Sequence, residues 1–327
     1  MKKVLFATTA LIATAGMAAA DVTISGYGRF GLDYNDANAT ETNLTSRLRL
    51  QFDMSTETDG GVTLGARLRA QADNTDGGTA RGASWNGARF FATYGGFTLG
   101  VGNIFGGLDN APGLYLETRS TGTGVDGMGF NSLVTNVNGG AAGLLDEYDN
   151  YDQYSSKGAG QNGVEVLYSA GDFSGQLSYS KENSSDAKRT AGHVAYTWND
   201  WTAVLGGQDS NQAWEDKVFF AVMADLGQYG VRFAYADNDG IDKYGLYGNM
   251  DIGAASNVVL WVTYEDAVSA ADVTAGRFDN SLDGGTKGTS YGINYSYDLG
   301  GGASFEAGAA ETANDQTQVQ AGVAFSF

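Results

Sequence analysis

LTSRLRLQFDM, residues 44–54, alternates along its length. Leu44, Leu48, Leu50, Phe52 and Met54 fall on one face, and Thr45, Arg47, Arg49, Gln51 and Asp53 on the other. Successive side chains point to opposite sides of a β-strand, so a period of 2 sustained this long excludes a helical stripe. One face needs an apolar neighbour and the other needs water. The preceding run, VTISGYGRFGLDY (22–34), repeats the scheme: Val22, Ile24, Gly26, Gly28, Phe30, Leu32 and Tyr34 share one face, with Tyr27, Arg29 and Asp33 on the other. In GVTLGARLRAQ (61–71), Val62, Leu64 and Leu68 point outward, and Arg67 and Arg69 inward. ARFFATY and GFTLGVG follow, with Arg89 inward.

The alternation then stops from about Asn103 to Asn162 and resumes in eleven further runs, from GVEVLYS (163–169) to QVQAGVAFSF (318–327). Five runs before the break and eleven after it predict sixteen antiparallel strands; TAVLGG and ASFEAGAA carry the weakest pattern. Short connections (AGD, ND, DLGQ, LGGG) alternate with longer ones such as KENSSDAKRTA. That asymmetry, with Tyr34, Tyr94, Tyr168, Trp198, Trp201, Tyr229, Tyr264 and Tyr297 near run ends, fits a transmembrane barrel with aromatic girdles. The last run ends at Phe327, with Val319, Ala321, Val323 and Phe325 on its apolar face. Pairing it with the first strand would close the barrel and leave no edge in lipid.

The break holds the only proline, Pro112, and the acids Glu117, Asp126, Asp146, Glu147, Asp149 and Asp152. A loop this long inside a compact protein is functional or disordered. Its Phe, Tyr, Leu and Met content argues for burial, and the flanking strands predict that it folds into the lumen as a constriction.

Residues 1–20, MKKVLFATTALIATAGMAAA, combine a basic start, a short apolar core and a small-x-small site. They read as a secretory signal peptide, leaving a barrel over 21–327. Loss of Lys2 and Lys3 deepens the formal charge from −19 to −21. This acidity argues against nucleic acid as a partner, which needs a basic footprint. Cysteine is absent, so disulfides play no part. No later stretch is long and apolar enough for a membrane helix.

GYGRFGLDY, SRLRL, STETDGGVTLGARLR and the closing VAFSF together resemble the general diffusion porins of alphaproteobacteria, over the whole mature chain. The resemblance implies an all-β, 16-stranded barrel, a homotrimer in outer-membrane lipid and lipopolysaccharide, and a third long loop folded inward. It implies a water-filled channel for ions and small hydrophilic solutes, not an enzyme, with no required cofactor. The terminal Phe327 would be read by the barrel-assembly machinery. Carried onto this chain, the basic wall of the neck is Arg29, Arg47, Arg49, Arg67, Arg69 and Arg89, faced by acids from Asp109, Glu117 and Asp126. Some members bind calcium near this loop, which makes Asp146, Glu147, Asp149 and Asp152 candidate ligands.

The arginines carry an argument of their own. Every basic residue from Asp21 to Gly100 is Arg, and most sit two apart on the polar face of neighbouring strands. Like charges so placed repel, and Arg does not deprotonate, so a permanent positive wall implies a use for its field in setting ion preference. The alternative is pairing with Asp33, Asp53 and loop acids purely to hold the lumen together. Other sites are weaker. His193, the only histidine, with Ser178, Ser180 and Asp186, would supply the residue types of a barrel hydrolase, but nothing marks a triad. DNTDGG (73–78) and DNDGID (237–242) are explained by Asp-Gly turns. A substrate-selective channel and a soluble secreted β-protein remain as alternatives.

Overall fold

In the computed structural model the described residues are 20–74, 80, 82–115, 133–134, 151–182, 186–212, 215–266, 288–313 and 315–327. Seventeen strands follow one another: β1 Asp21–Asn35, β2 Thr42–Glu57, β3 Thr63–Asn74, β4 Ser84–Trp85, β5 Arg89–Tyr94, β6 Phe97–Asn103, β7 Asn162–Ala170, β8 Phe173–Lys181, β9 Lys188–Trp198, β10 Trp201–Ser210, β11 Lys217–Asp225, β12 Tyr229–Asn238, β13 Asp242–Ile252, β14 Ser256–Glu265, β15 Gly288–Gly300, β16 Ala303–Glu311 and β17 Thr317–Ser326. The two-residue β4 and β5 both pair with β3, so together they form one interrupted stave and the barrel has sixteen. Each stave pairs antiparallel with its neighbours in sequence, and β1 pairs with β17 from Tyr27↔Ser326 to Asn35↔Gln318. The sheet closes on itself, as the terminal run predicts.

All sixteen predicted runs are strands, including TAVLGG within β10 and ASFEAGAA within β16. Outward residues are exposed, as a lipid-facing surface requires: Leu44, Leu48, Phe90, Leu99, Leu177, Leu205, Leu246 and Leu260 among them. Tyr94, Trp198, Trp201, Tyr229 and Tyr297 are exposed near strand ends, where aromatic rings sit between lipid and water. The turns after β2, β5, β7, β9, β11, β13 and β15 are short and share an end with both termini of the barrel. By the rule for such barrels this is the periplasmic end.

The core has an unusual location, within the lumen. Leu108, Leu114, Leu133, Val134 and Tyr151, all from the segment between β6 and β7, pack with Val204, Phe219, Ala221, Ala234, Tyr247 and Trp261 on the inner faces of β10 to β14. The long loop is therefore folded inward and held by apolar burial against one side of the barrel.

Candidate pore constriction

The opposite region of the wall is made by β1, β2 and β3. RLRLQFD (47–53) and RLRAQAD (67–73) are two copies of one pattern, R-x-R-x-Q-x-D. Antiparallel pairing lays them head to tail about Leu50↔Ala70, so each arginine meets an acceptor: Arg47↔Asp73, Arg49↔Gln71, Gln51↔Arg69 and Asp53↔Arg67. Arg49 Nε donates to Gln71 Oε1 at 2.8 Å, Arg69 Nε to Gln51 Oε1 at 2.8 Å, and Arg67 Nε to Asp53 Oδ1 at 2.6 Å. Arg47 Nη2 lies 3.7 Å from Asp73 Oδ2. Aromatic rings support the guanidinium faces: Arg49 lies 5.0 Å from the Tyr27 centroid and Arg69 4.6 Å from that of Tyr154.

On either side of this hairpin the neighbours are like charges, Arg29↔Arg47 toward β1 and Arg67↔Arg89 toward β5. At the centre of the hairpin, by contrast, arginines alternate with acceptors. Arg47 and Arg67 keep 21% and 28% of their side-chain surface in contact with water. Arg29 and Arg89 differ, at 4% each. Arg89 is the root of the loop: its Nε donates to Glu165 Oε1 at 2.6 Å, its guanidinium lies 3.9 Å from the Phe105 ring centroid, and Glu165 Oε2 accepts from Phe105 N.

From Phe105 the loop's outgoing limb crosses the inner faces of β8 to β12. Gly107 N donates to Ser178 Oγ, and Gly107 O pairs with His193 Nδ1 at 2.6 Å. Asn110 Nδ2 donates to Gln176 Oε1, and Arg232 Nη1 donates to the carbonyls of Gly113 and Tyr115. The returning limb, 151–161, lies back along β3 to β6. Asn86 Nδ2 donates to Ser155 O, Gly87 N to Gly158 O, and Gly158 N to Trp85 O. The limbs cross where Gly106, at φ +85°, sits on Asp152 O; a side chain there would collide with that carbonyl. Ser178 and His193, the residue types that suggested a hydrolase, are thus both engaged by Gly107. Asp186 is exposed beside Lys181 and Lys188, so no triad forms.

Of the three loop acids, Asp109 is described and accepts a hydrogen bond from the Tyr115 hydroxyl, which also meets Tyr151. Burial pushes its carboxyl up to about 7, against the Tyr115 hydrogen bond and the charge of Arg69, which pull it down. Glu117 and Asp126 lie outside the described residues, as do Asp146, Glu147 and Asp149. Asp152 pairs with Arg189, 3.3 Å away, beside Glu215. Among the described residues no group of three or more acids, cysteines or histidines is placed to hold a metal. Sequence reasoning missed Gln51, Gln71 and Asp73 as partners of the arginines; the repeated R-x-R-x-Q-x-D was the available signal.

A family model described as Gram-negative porin matches residues 7–323. The chain belongs to the Gram-negative porin family. The porin is 28% identical over 315 residues to a porin of Fuscovulum blasticum and 28% identical over 332 residues to one of Rhodobacter capsulatus. Each alignment covers 94% of this chain and the whole of the relative. A solved structure of a triple mutant of Rhodopseudomonas blastica porin superposes with a TM-score of 0.72 at 25% identity, covering 94% of this chain and all of the other. The porin is an outer-membrane β-barrel and a passive diffusion channel rather than an enzyme.

Proposed function

We propose that solutes and ions pass between the Arg47, Arg49, Arg67 and Arg69 wall and the inward loop, and that this neck sets ion preference. The observation that carries the reading is the position of these side chains: polar-phase, partly in contact with water, and across the lumen from the bed that holds the loop. Arg29 and Arg89 then act as buried supports. The acidic side of the neck falls to Glu117 and Asp126, while Asp109 holds the loop through Tyr115. Mouths made acidic by a formal charge of −21 favour cations. Their influence is screened beyond roughly 8 Å at physiological salt, so the neck gains weight as salt rises.

The test is the reversal potential of purified channels in a salt gradient, before and after replacing Arg47, Arg49, Arg67 and Arg69 with Gln. Selectivity should shift toward cations, and bulkier solutes should leak faster. An unchanged reversal potential would remove these residues from the conduction path.

The assembly proposed is a homotrimer in lipid and lipopolysaccharide, inserted by the barrel-assembly machinery through the strand ending at Phe327 after cleavage of residues 1–20. The contact surface proposed is the outer faces of the first strands, where small residues allow close approach between chains. Gly26 and Gly28, outward on β1, are covered within the chain by the rings of Phe327 and Phe325, and Ala66 is a further small residue on this face. A bound calcium would draw on Asp146, Glu147, Asp149 and Asp152; chelation that leaves conductance and stability unchanged would remove it.

A further inference from the structure

A fixed field needs only charge. The β2–β3 array has more than that. At its centre the partners of Arg49 and Arg69 are glutamines, which hold each Nε by an oxygen at 2.8 Å without cancelling the charge. An Asp would hold the guanidinium and neutralise it; an apolar residue would leave it charged and loose. Tyr27 and Tyr154 set the planes from the side. With Nε engaged by the wall, the Nη edges of Arg49 and Arg67 form no hydrogen bond with any described residue. Four guanidiniums, with Lys157 Nζ 2.7 Å from Asp73, outnumber Asp53 and Asp73 and leave the array with net positive charge.

We propose that this array is a recognition site for a compact, doubly charged oxyanion, with hydrogen phosphate as the simplest case. Planar forks held in fixed orientation suit parallel N–H···O bonds to an oxygen-rich anion, and the net positive charge suits a dianion. A spherical halide gains nothing from the orientation. The inference rests on the reading that this wall lines the conduction path and adds a ligand class to it.

The experiment measures chloride current through single channels at mildly alkaline pH while potassium phosphate is titrated in at constant ionic strength. Phosphate should block saturably. A Gln51→Leu, Gln71→Leu channel keeps every charge and frees both Nε groups. Its half-blocking concentration should rise about tenfold, the weight of one charge-assisted hydrogen bond. Gln51→Met, Gln71→Met, closer in volume, serves if the leucine pair does not assemble. Equal block in wild type and either variant would overturn the proposal and leave an array that acts by charge alone. Failure of the underlying reading looks different: an unchanged reversal potential in the arginine-to-glutamine channel.

Discussion

Gly100 shows how much a missing side chain decides here. It lies on the inward phase of β6, and a Cβ built there would sit 2.6 Å from Glu165 Oε1 and 2.7 Å from Arg89 Nη2. Gly100→Val should cost about 1–3 kcal/mol, as overpacking does, and should separate the pair that roots the loop. The expected readout is a noisier, larger conductance in a barrel that still resists detergent. Asp109 is a second point of leverage. Its folded pKa of about 7 lies above the ordinary carboxyl value, so its contribution to holding the loop is complete at low pH and is lost as pH rises through about 7. Asp109→Asn should remove that part of the pH dependence. The check is the frequency of current fluctuations at pH values on either side of neutrality: the wild-type channel should grow noisier on the alkaline side, and the variant should not.

At the scale of elements, the strands and their phase were legible because each stave has one apolar face and one wet one. Arg47, Arg49, Arg67 and Arg69 could be aimed inward from alternation alone. The pattern blurs where the loop docks. KVFFAVMADL reads as nearly continuous apolar sequence because Phe219 and Ala221 point inward to receive Leu114 and its neighbours, while Val218 and Phe220 point outward. Period 2 carries no signal when both faces are apolar. The loop itself has no period, so Asp109, drawn as a pore-facing acid, could not be distinguished in sequence from the tyrosine-bonded carboxyl that it is. Likewise Arg89 shares its alternation with Arg67, and only Glu165, two staves away but 76 residues on in sequence, marks it as a buried anchor. The bed makes its own prediction. Leu108→Ala, at a fully buried position, should cost about 2–5 kcal/mol, taken from loop docking rather than from strand pairing. Proteolysis within the loop should become faster while the barrel's melting temperature barely moves.

Across the whole molecule, closure depends on a short seam. Gly26 N donates to Phe327 O at 2.9 Å and Phe327 N to Gly26 O at 3.0 Å, and the terminal rings lie over Gly26 and Gly28 on the outside. Deleting Phe327 should lower the amount of assembled barrel several-fold and leave the conductance of those that do assemble unchanged. Counting heat-modifiable barrels in membranes against their unit conductance separates the two effects.

The loop's outgoing limb is gripped by Ser178, His193 and Arg232, all of which follow it in the chain. Its apolar bed extends to Tyr247 and Trp261 on β13 and β14, so the loop docks only once that part of the wall is built. Narrowing is then a late event in biogenesis, and a barrel caught between closure and mooring would be briefly wider than the finished one.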